Sequence, residues 1–154
     1  MKTAIDMLQE KGNKIFAVDP DTTIYEALHI MVENNIGAIL VQNGDEIVGI
    51  WTERDLARNS LQAGFDTKVA RIGDYMSTHL KKTTDDTTCY AMLDKFLGMR
   101  LRHLVVEKDG KFSGLLSIGD VIKAALVERT TELEKLNEMV KWDYYEDWRW
   151  KKKD

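Results

Sequence analysis

The chain has 154 residues, a net charge of −4 and 44% hydrophobic residues. A chain of this length buries enough surface to need no metal or disulfide, and its acidic balance disfavours a nucleic-acid binder. The single Cys89 cannot form an internal disulfide, which fits a cytoplasmic protein. The sequence has no apolar run near the roughly 18 residues of a membrane span, and charges interrupt its start, so we expect neither a membrane protein nor a secreted one.

The predicted elements fall into two similar halves. In the first half, the apolar patterns predict a short strand, a helix, two strands and a second helix at 15–18, 23–34, 36–41, 47–51 and from about 53. The second half predicts the same order at 80–83, 88–99, 101–106, 112–116 and from about 118. The turns between paired strands are Asn43-Gly44-Asp45 and Asp109-Gly110. Each half is therefore a β-α-β-β-α unit.

The two halves align with each other at a shift of 65 residues, without a gap from Asp21 to Leu56. Eight of the 36 aligned positions are identical, namely Asp21/Asp86, Thr22/Thr87, Thr23/Thr88, Tyr25/Tyr90, Leu28/Leu93, Val41/Val106, Gly49/Gly114 and Asp55/Asp120. We therefore predict an α+β fold of two packed repeats, residues 5–64 and 65–127, followed by a helical extension over 128–154.

The first helix of each repeat has an apolar face with helical spacing. Its members are Ile24, Ala27, Leu28, Met31 and Val32 in one repeat, and Cys89, Met92, Leu93, Phe96 and Leu97 in the other. We expect both faces to be buried, and Cys89 to be an inert thiol. We also expect Trp51 and Tyr25 to lie in the core rather than to stack on a ligand.

The helical pattern of the second repeat continues into the C-terminal extension. Its apolar positions form a heptad-like seam, interrupted by Arg129, at Ile122, Leu126, Leu133, Leu136 and Val140. This seam predicts a long helix with a partner. The end of the chain alternates charges with aromatic residues at Trp142, Tyr144, Tyr145, Trp148 and Trp150, before Lys151–Lys153. Because an aromatic cluster is costly to expose, we expect a docking or dimer surface there.

Catalytic motifs are absent from the sequence. It contains no G-x-S-x-G, P-loop or G-x-G-x-x-G pattern. His29, His79 and His103 have no metal-ligand spacing with Cys89 or with each other. We therefore do not expect an enzyme.

Both repeats carry the pattern G-x-x-[S/T]-x-x-D where the last strand meets the last helix. It reads Gly49-Ile50-Trp51-Thr52-Glu53-Arg54-Asp55 in the first repeat and Gly114-Leu115-Leu116-Ser117-Ile118-Gly119-Asp120 in the second. In one interpretation, [S/T]-x-x-D is a capping box that only stabilises the helix start. In the other, the carboxylate accepts both hydroxyls of a ribose, the helix start favours a phosphate, and the glycine lets the backbone approach a flat base.

These motifs, with the preceding segments Asn35-Ile36-Gly37-Ala38-Ile39-Leu40-Val41 and Arg100-Leu101-Arg102-His103-Leu104-Val105-Val106, resemble a tandem CBS-domain pair, or Bateman module. The resemblance covers about residues 5–127 and is to the small stand-alone bacterial type. It implies two CBS units packed with pseudo-two-fold symmetry around two clefts for adenosine-containing ligands, such as AMP, ADP, ATP, NAD(H) or S-adenosylmethionine. It also implies a homodimer.

The resemblance assigns roles to particular residues. Thr52 with Asp55 and Ser117 with Asp120 would hold the riboses of a first and a second cleft. Ile36, Gly37 and Ala38 match the strand against the adenine of the first cleft, Arg102 and His103 match a basic pair that meets phosphate in the second, and Arg54 is a further phosphate contact. The helix dipole alone also favours cations at this strand, which follows a helix end. From the uneven cations we expect the second cleft to prefer a charged nucleotide.

The resemblance thus implies a regulatory module that senses an adenine nucleotide and signals to a protein partner in trans. It implies no catalytic cofactor, metal, nucleic acid or membrane. The alternative is an interaction protein that acts through its aromatic C-terminal helix and has non-functional clefts.

Overall fold

The computed structural model describes residues 1–12 and 14–147. Along this part of the chain the elements are α1 (Ala4–Lys11), β1 (Ala17–Val18), α2 (Ile24–Glu33), β2 (Ala38–Asn43), β3 (Glu46–Thr52), α3 (Glu53–Asn59), α4 (Ile72–Tyr75), β4 (Lys82–Thr84), α5 (Cys89–Met99), β5 (His103–Lys108), β6 (Lys111–Ser117) and α6 (Ile118–Asp147). The predicted β-α-β-β-α order is confirmed in both repeats. The short helices α1 and α4 were not predicted.

Each repeat has its own three-stranded sheet, ordered β1-β2-β3 in the first and β4-β5-β6 in the second. The first two strands of each sheet are parallel and the last two are antiparallel. A register shift occurs after Val41 in one hairpin and after Val106 in the other, which are equivalent positions. The duplication is therefore preserved down to the strand register, and the predicted α+β class is confirmed.

The two unpredicted helices cross between the repeats. Helix α1 begins the first repeat in sequence, yet its Ala4, Met7 and Leu8 are buried in the core of the second repeat. Helix α4 lies in the sequence range of the second repeat, yet its Ile72 is buried in the core of the first. The sequence ranges 5–64 and 65–127 stay a prediction for the repeats, but each core takes a helix from outside its own range.

The paired glycines make room for these crossing segments. A Cβ atom on Gly114 would lie 2.6 Å from Leu8 Cδ2, and a Cβ atom on Gly49 would lie 2.8 Å from Met76 Cγ. At either strand position, a Cβ atom would therefore force the facing side chain to shift. The expectation that the glycines admit a flat base is therefore corrected, because side chains of the chain itself fill this space.

The buried faces of α2 and α5 are narrower than predicted. Three residues of each face are fully buried: Ile24, Ala27 and Met31, and Cys89, Met92 and Phe96. The last predicted members of the two faces are exposed, with relative accessibilities of 77% for Val32 and 71% for Leu97. These two residues are equivalent at the 65-residue shift, so both repeats present an apolar side chain to solvent at the same place.

The predictions for the two aromatic residues have opposite outcomes. Trp51 is fully buried, and its Nε1 donates a hydrogen bond of 2.9 Å to Asn59 Oδ1. Tyr25 is 43% exposed and packs edge-on against His29, with 4.6 Å between the ring centroids. The core prediction for Tyr25 is therefore wrong: its helix turns this position away from the sheet.

Cys89 is buried, as expected of an inert thiol, and donates a hydrogen bond of 3.0 Å to Glu128 Oε2. Burial, helped by this hydrogen bond to a carboxylate, raises the pKa of the Cys89 thiol to about 11. The thiolate is therefore scarce at neutral pH, which keeps the residue unreactive.

The predicted long C-terminal helix is confirmed as α6, whose Leu126, Leu133 and Leu136 are exposed. The predicted aromatic docking surface extends outside the described residues, which do not include Trp148, Trp150 or Lys151–Lys153. None of the helices in 1–12 and 14–147 is both long and apolar enough to cross a membrane.

Candidate ligand-binding clefts

Thr52 and Asp55 form a complete capping box where β3 meets α3. Asp55 Oδ2 accepts hydrogen bonds from the Thr52 backbone N–H at 3.0 Å and from its hydroxyl at 3.1 Å. In return, the Asp55 N–H donates to Thr52 Oγ1 at 3.3 Å. Asp55 Oδ1 lies 3.8 Å from a guanidinium nitrogen of Arg58. The box holds the half-buried carboxylate in one orientation at the helix start.

Ser117 and Asp120 repeat this arrangement where β6 meets α6. Asp120 Oδ2 accepts from the Ser117 N–H at 2.8 Å and from its hydroxyl at 2.9 Å. The same oxygen also accepts from Lys11 Nζ at 2.8 Å, and Lys11 donates to the Leu115 carbonyl at 3.3 Å. Burial by itself would raise the pKa of Asp120, but hydrogen bonds from Lys11 and Ser117 outweigh it and lower that pKa.

The capping interpretation of the motif is therefore correct, and it leaves room for the other one. Both boxes use Oδ2 alone, so Asp closes them as well as Glu26 closes the box of Thr23 at α2. Oδ1 of Asp55 and of Asp120 accepts no hydrogen bond from any residue in the described part of the chain. A carboxylate oxygen held in this way can accept a hydroxyl hydrogen from a ligand.

The strand before each motif is tied to the start of the helix after it. The Glu53 N–H donates to the Gly37 carbonyl at 3.0 Å, and the Ile118 N–H donates to the Arg102 carbonyl at 2.8 Å. The segments 36–38 and 101–103 therefore lie beside the helix starts that carry the two aspartates. This brings the sequence-predicted site residues together in space, although they are up to about 20 residues apart within a repeat.

Two adjoining cavities contain all of these residues. The larger cleft has a volume of about 990 Å³ and is bordered, among others, by Ile36, Gly37, Thr52, Glu53, Arg54, Asp55, Arg58, His79, Lys81, Arg100, Arg102, His103 and Ser117. The smaller cleft has a volume of about 280 Å³ and is bordered, among others, by Lys11, Lys14, Ile36, Gly37, Ala38, His103, Ser117 and Asp120. Residues of both repeats border each cleft, so each is an inter-repeat cavity.

Ile36, Gly37 and His103 border both clefts, whereas two other predicted strand residues border only one. Ala38 of the first repeat borders only the smaller cleft, with Asp120 of the second repeat. Arg102 of the second repeat borders only the larger cleft, with Asp55 of the first. The expected distribution of cations is corrected accordingly, because Arg54 and Arg102 lie in the same cleft and not in separate ones.

His103 is uncharged in this site at neutral pH. Burial, the positive charge of Arg102 and that of Lys11 lower its pKa to about 4, against the opposing effect of Asp120. The predicted basic pair at the strand is therefore a single cation, Arg102, beside a neutral imidazole. The imidazole can donate or accept a hydrogen bond but adds no charge for a phosphate.

Sequence reasoning missed several cations of the clefts, among them Lys11 and Lys14 in the smaller cleft and Arg58 and Lys81 in the larger. For Lys14 the sequence did contain a signal, because Lys14 and His79 are equivalent at the 65-residue shift. These two residues border different clefts. Lys11 had no such signal, because its helix packs on the other repeat. Within 1–12 and 14–147, His, Cys, Asp and Glu residues form no group that could hold a metal ion.

Comparison with known proteins establishes the family. The family model of the CBS domain matches residues 4–62 and 72–127. The mitochondrial CBS domain-containing protein CBSX3 of Arabidopsis thaliana is 32% identical over 151 residues, 92% of this chain and 73% of the relative. A 17.7 kDa protein of Acidianus ambivalens is 35% identical over 140 residues, 90% of this chain and 84% of its own. The chain therefore belongs to the CBS-domain family, with two CBS domains in tandem.

Solved structures agree with this assignment. A CBS-domain protein from Burkholderia ambifaria superposes with a TM-score of 0.76 at 32% identity, covering 82% of this chain and 95% of that one. The structure of CBSX2 in complex with AMP superposes with a TM-score of 0.68 at 27% identity, covering 82% and 98%. The matching family model describes the CBS domain. Neither this model nor the relatives named above indicate a family of enzymes.

Proposed function

We propose that this chain is a regulatory module that binds adenosine-containing ligands in its two inter-repeat clefts. The ribose hydroxyls bind Oδ1 of Asp55 in the larger cleft and Oδ1 of Asp120 in the smaller. The adenine lies against the strand segment that each cleft takes from the other repeat, which is 101–103 in the larger cleft and 36–38 in the smaller.

The observation that carries this proposal is the repeated aspartate geometry. In both clefts a half-buried carboxylate is oriented through Oδ2 by its own capping box. Its Oδ1 accepts no hydrogen bond from a described residue. Such an oxygen, at a helix start and beside a strand backbone, suits a diol next to a flat ring. The complex of the related CBSX2 with AMP supports this ligand class.

Cations that can bind the phosphate groups of the ligand border both clefts. Arg54 and Arg102 border the larger cleft, and Lys11 borders the smaller. AMP, ADP, ATP and NAD(H) all combine adenine, ribose and phosphate, whereas S-adenosylmethionine shares only the adenosine. Thr52 and Ser117 complete the two sites by fixing the carboxylates.

Titration calorimetry with AMP, ADP, ATP, NAD, NADH and S-adenosylmethionine tests the proposal. We expect two sites for the ligand that binds, and one site in each of the variants Asp55→Asn and Asp120→Asn, because each removes one ribose carboxylate. A ligand at 100 times its Kd adds about 2.7 kcal/mol of stability, which raises the melting temperature of a chain of this size by about 5–10 °C.

Glu26→Gln is the matched control, because Glu26 closes a capping box at a helix start that borders neither cleft. Like the aspartate variants, it replaces the carboxylate of a capping box by an amide, yet it should keep two sites. The absence of binding for the whole panel would refute the proposal, and so would an equal loss of binding in Glu26→Gln.

We also propose that the module works as a homodimer in the cytoplasm and passes ligand occupancy to a protein partner. The exposed apolar side chains Val32 and Leu97, which are equivalent, and the exposed leucines 126, 133 and 136 of α6 support an interface, because burying them on association is favourable. A change of arrangement on binding requires a ligand that prefers one state over the other.

A further inference from the structure

Lys11 reaches the smaller cleft from a helix that is fixed in place. It is the last residue of α1, which is anchored by its buried residues Ala4, Met7 and Leu8 in the core of the second repeat. Leu8 fits against Gly114, the glycine of the second motif. Packing of α1 therefore fixes the position of the Lys11 backbone. Only the flexible Lys11 side chain can change its hydrogen-bond partner.

The Lys11 ammonium is bound to the carboxylate that the proposed function reserves for ribose. Its Nζ lies 2.8 Å from Asp120 Oδ2 and 3.3 Å from the Leu115 carbonyl oxygen. The pair is partly buried, with side-chain accessibilities of 38% for Lys11 and 28% for Asp120. A charged hydrogen bond in such a place contributes more than one on an open surface.

In the larger cleft, no lysine among the described residues pairs with Asp55. The nearest cation to Asp55 is Arg58 of its own helix, at 3.8 Å. The lysine at position 11 is thus one difference between the two sites, and Lys14 adds a second ammonium to the border of the smaller cleft. With His103 neutral, the smaller cleft faces a ligand with two lysines and one carboxylate.

We propose that Lys11 makes the smaller cleft selective for phosphorylated adenosine ligands over uncharged or cationic ones. This inference rests on the proposed function. A ribose that binds Asp120 shares the carboxylate with Lys11 and weakens its ion pair. A ligand phosphate gives the ammonium a new anionic partner, whereas adenosine or S-adenosylmethionine leaves it poorly paired in a partly buried site, which is unfavourable.

The test compares the affinities of AMP and adenosine for the full chain carrying Asp55→Asn, so that the heat of binding reports the smaller cleft. In this parent we expect AMP to bind at least tenfold more tightly than adenosine. Adding Lys11→Met should bring the ratio of the two Kd values close to one, because adenosine gains an unoccupied Asp120 and AMP loses its cation. Adding Lys11→Arg instead should keep most of the preference.

Lys2→Met is the matched control, because Lys2 also forms an ion pair, with Glu10, but does not border the cleft. It should leave the ratio of Kd values unchanged. An unchanged ratio in Lys11→Met, or an equal change in Lys2→Met, overturns the inference while the proposed function stands. Failure of AMP and adenosine alike to bind the parent overturns the proposed function at this cleft and the inference with it.

Discussion

At the residue scale, each motif aspartate uses one carboxylate oxygen for capping, and its other oxygen accepts no hydrogen bond from a described residue. The sequence presented capping and ribose binding as alternatives, but the two oxygens of a carboxylate can be used separately. Oδ2 of Asp55 is held by Thr52, as Oδ2 of Asp120 is held by Ser117. A sequence pattern identifies the residue but not which of its carboxylate oxygens makes a given hydrogen bond. Atomic positions were needed to show this.

His103 gives a prediction about pH at the same scale. Its pKa of about 4 in the folded chain, caused by burial and by Arg102 and Lys11, lies below its ordinary value of 6.5. Between these two values the unfolded chain binds the proton and the folded chain does not. The contribution of His103 to the free energy of unfolding is therefore fully present above about pH 6.5. As the pH drops to 4, the free energy of unfolding falls by up to about 3 kcal/mol.

Urea unfolding between pH 4 and 7.5 measures this effect. We expect the free energy of unfolding of His103→Gln to vary less between pH 6.5 and 4 than that of the wild type. In this range the acidic residues with lowered pKa values contribute little to the pH dependence. His29→Gln, at an exposed position of α2, should leave the profile as it is. A profile of His103→Gln parallel to that of the wild type would show that His103 is not buried in its neutral form.

At the scale of elements, local patterns predicted the long strands and helices and missed the short ones. Helices α2 and α5 have capping threonines and apolar residues at helical spacing, and both begin and end within a residue or two of the predicted limits. Helix α1 has only eight residues and α4 only four, which is too short for a reliable period. Their stability comes from packing on the opposite repeat.

Substitution of the glycines tests this crossed packing. Gly114→Ala and Gly49→Ala would each place a Cβ within 3 Å of a side chain from a crossing segment, Leu8 or Met76. Overpacking of this kind costs about 1–3 kcal/mol. We expect a lower urea midpoint for both variants, with the smaller loss for Gly49→Ala, because the flexible end of the Met76 side chain can move aside more easily than the buried Leu8.

Gly98→Ala provides the comparison, because a Cβ at this position of α5 would meet no atom within 4 Å. It should raise stability by about 0.5–1 kcal/mol, as Gly to Ala does inside an open helix. Equal midpoints for Gly114→Ala and Gly98→Ala would contradict the close contact between Leu8 and β6.

At the scale of the whole molecule, α6 is the element that reaches beyond the two repeats. Val121 and Ala124 near its start are buried in the core of the second repeat, whereas Leu133 and Leu136 are 54% and 55% exposed. A 30-residue helix extends about 45 Å. If the proposed dimer uses this seam, burying it in an interface would contribute much of the association energy.

Sedimentation velocity of the double variant Leu133→Gln/Leu136→Gln measures that contribution. We expect a dimer for the wild type and a monomer for the variant at micromolar concentration, because the apolar seam is lost. Thr131→Gln/Glu138→Gln, on the other side of the helix, should remain dimeric. A wild-type monomer, or a variant that stays dimeric, would exclude this seam as the interface.

The sequence by itself determined the duplication, the order of the main elements, the two motifs and the family. These follow from signals contained in windows of about ten residues: apolar periods, capping boxes and turn residues, each repeated at a shift of 65. The tertiary structure decided how the clefts are assembled, since Asp55 and Arg102 border one cleft, Asp120 and Ala38 border the other, and Lys11 pairs with Asp120. The physical reason is that these encounters, and the neutral state of His103, depend on contacts between segments distant in sequence, which no local pattern encodes.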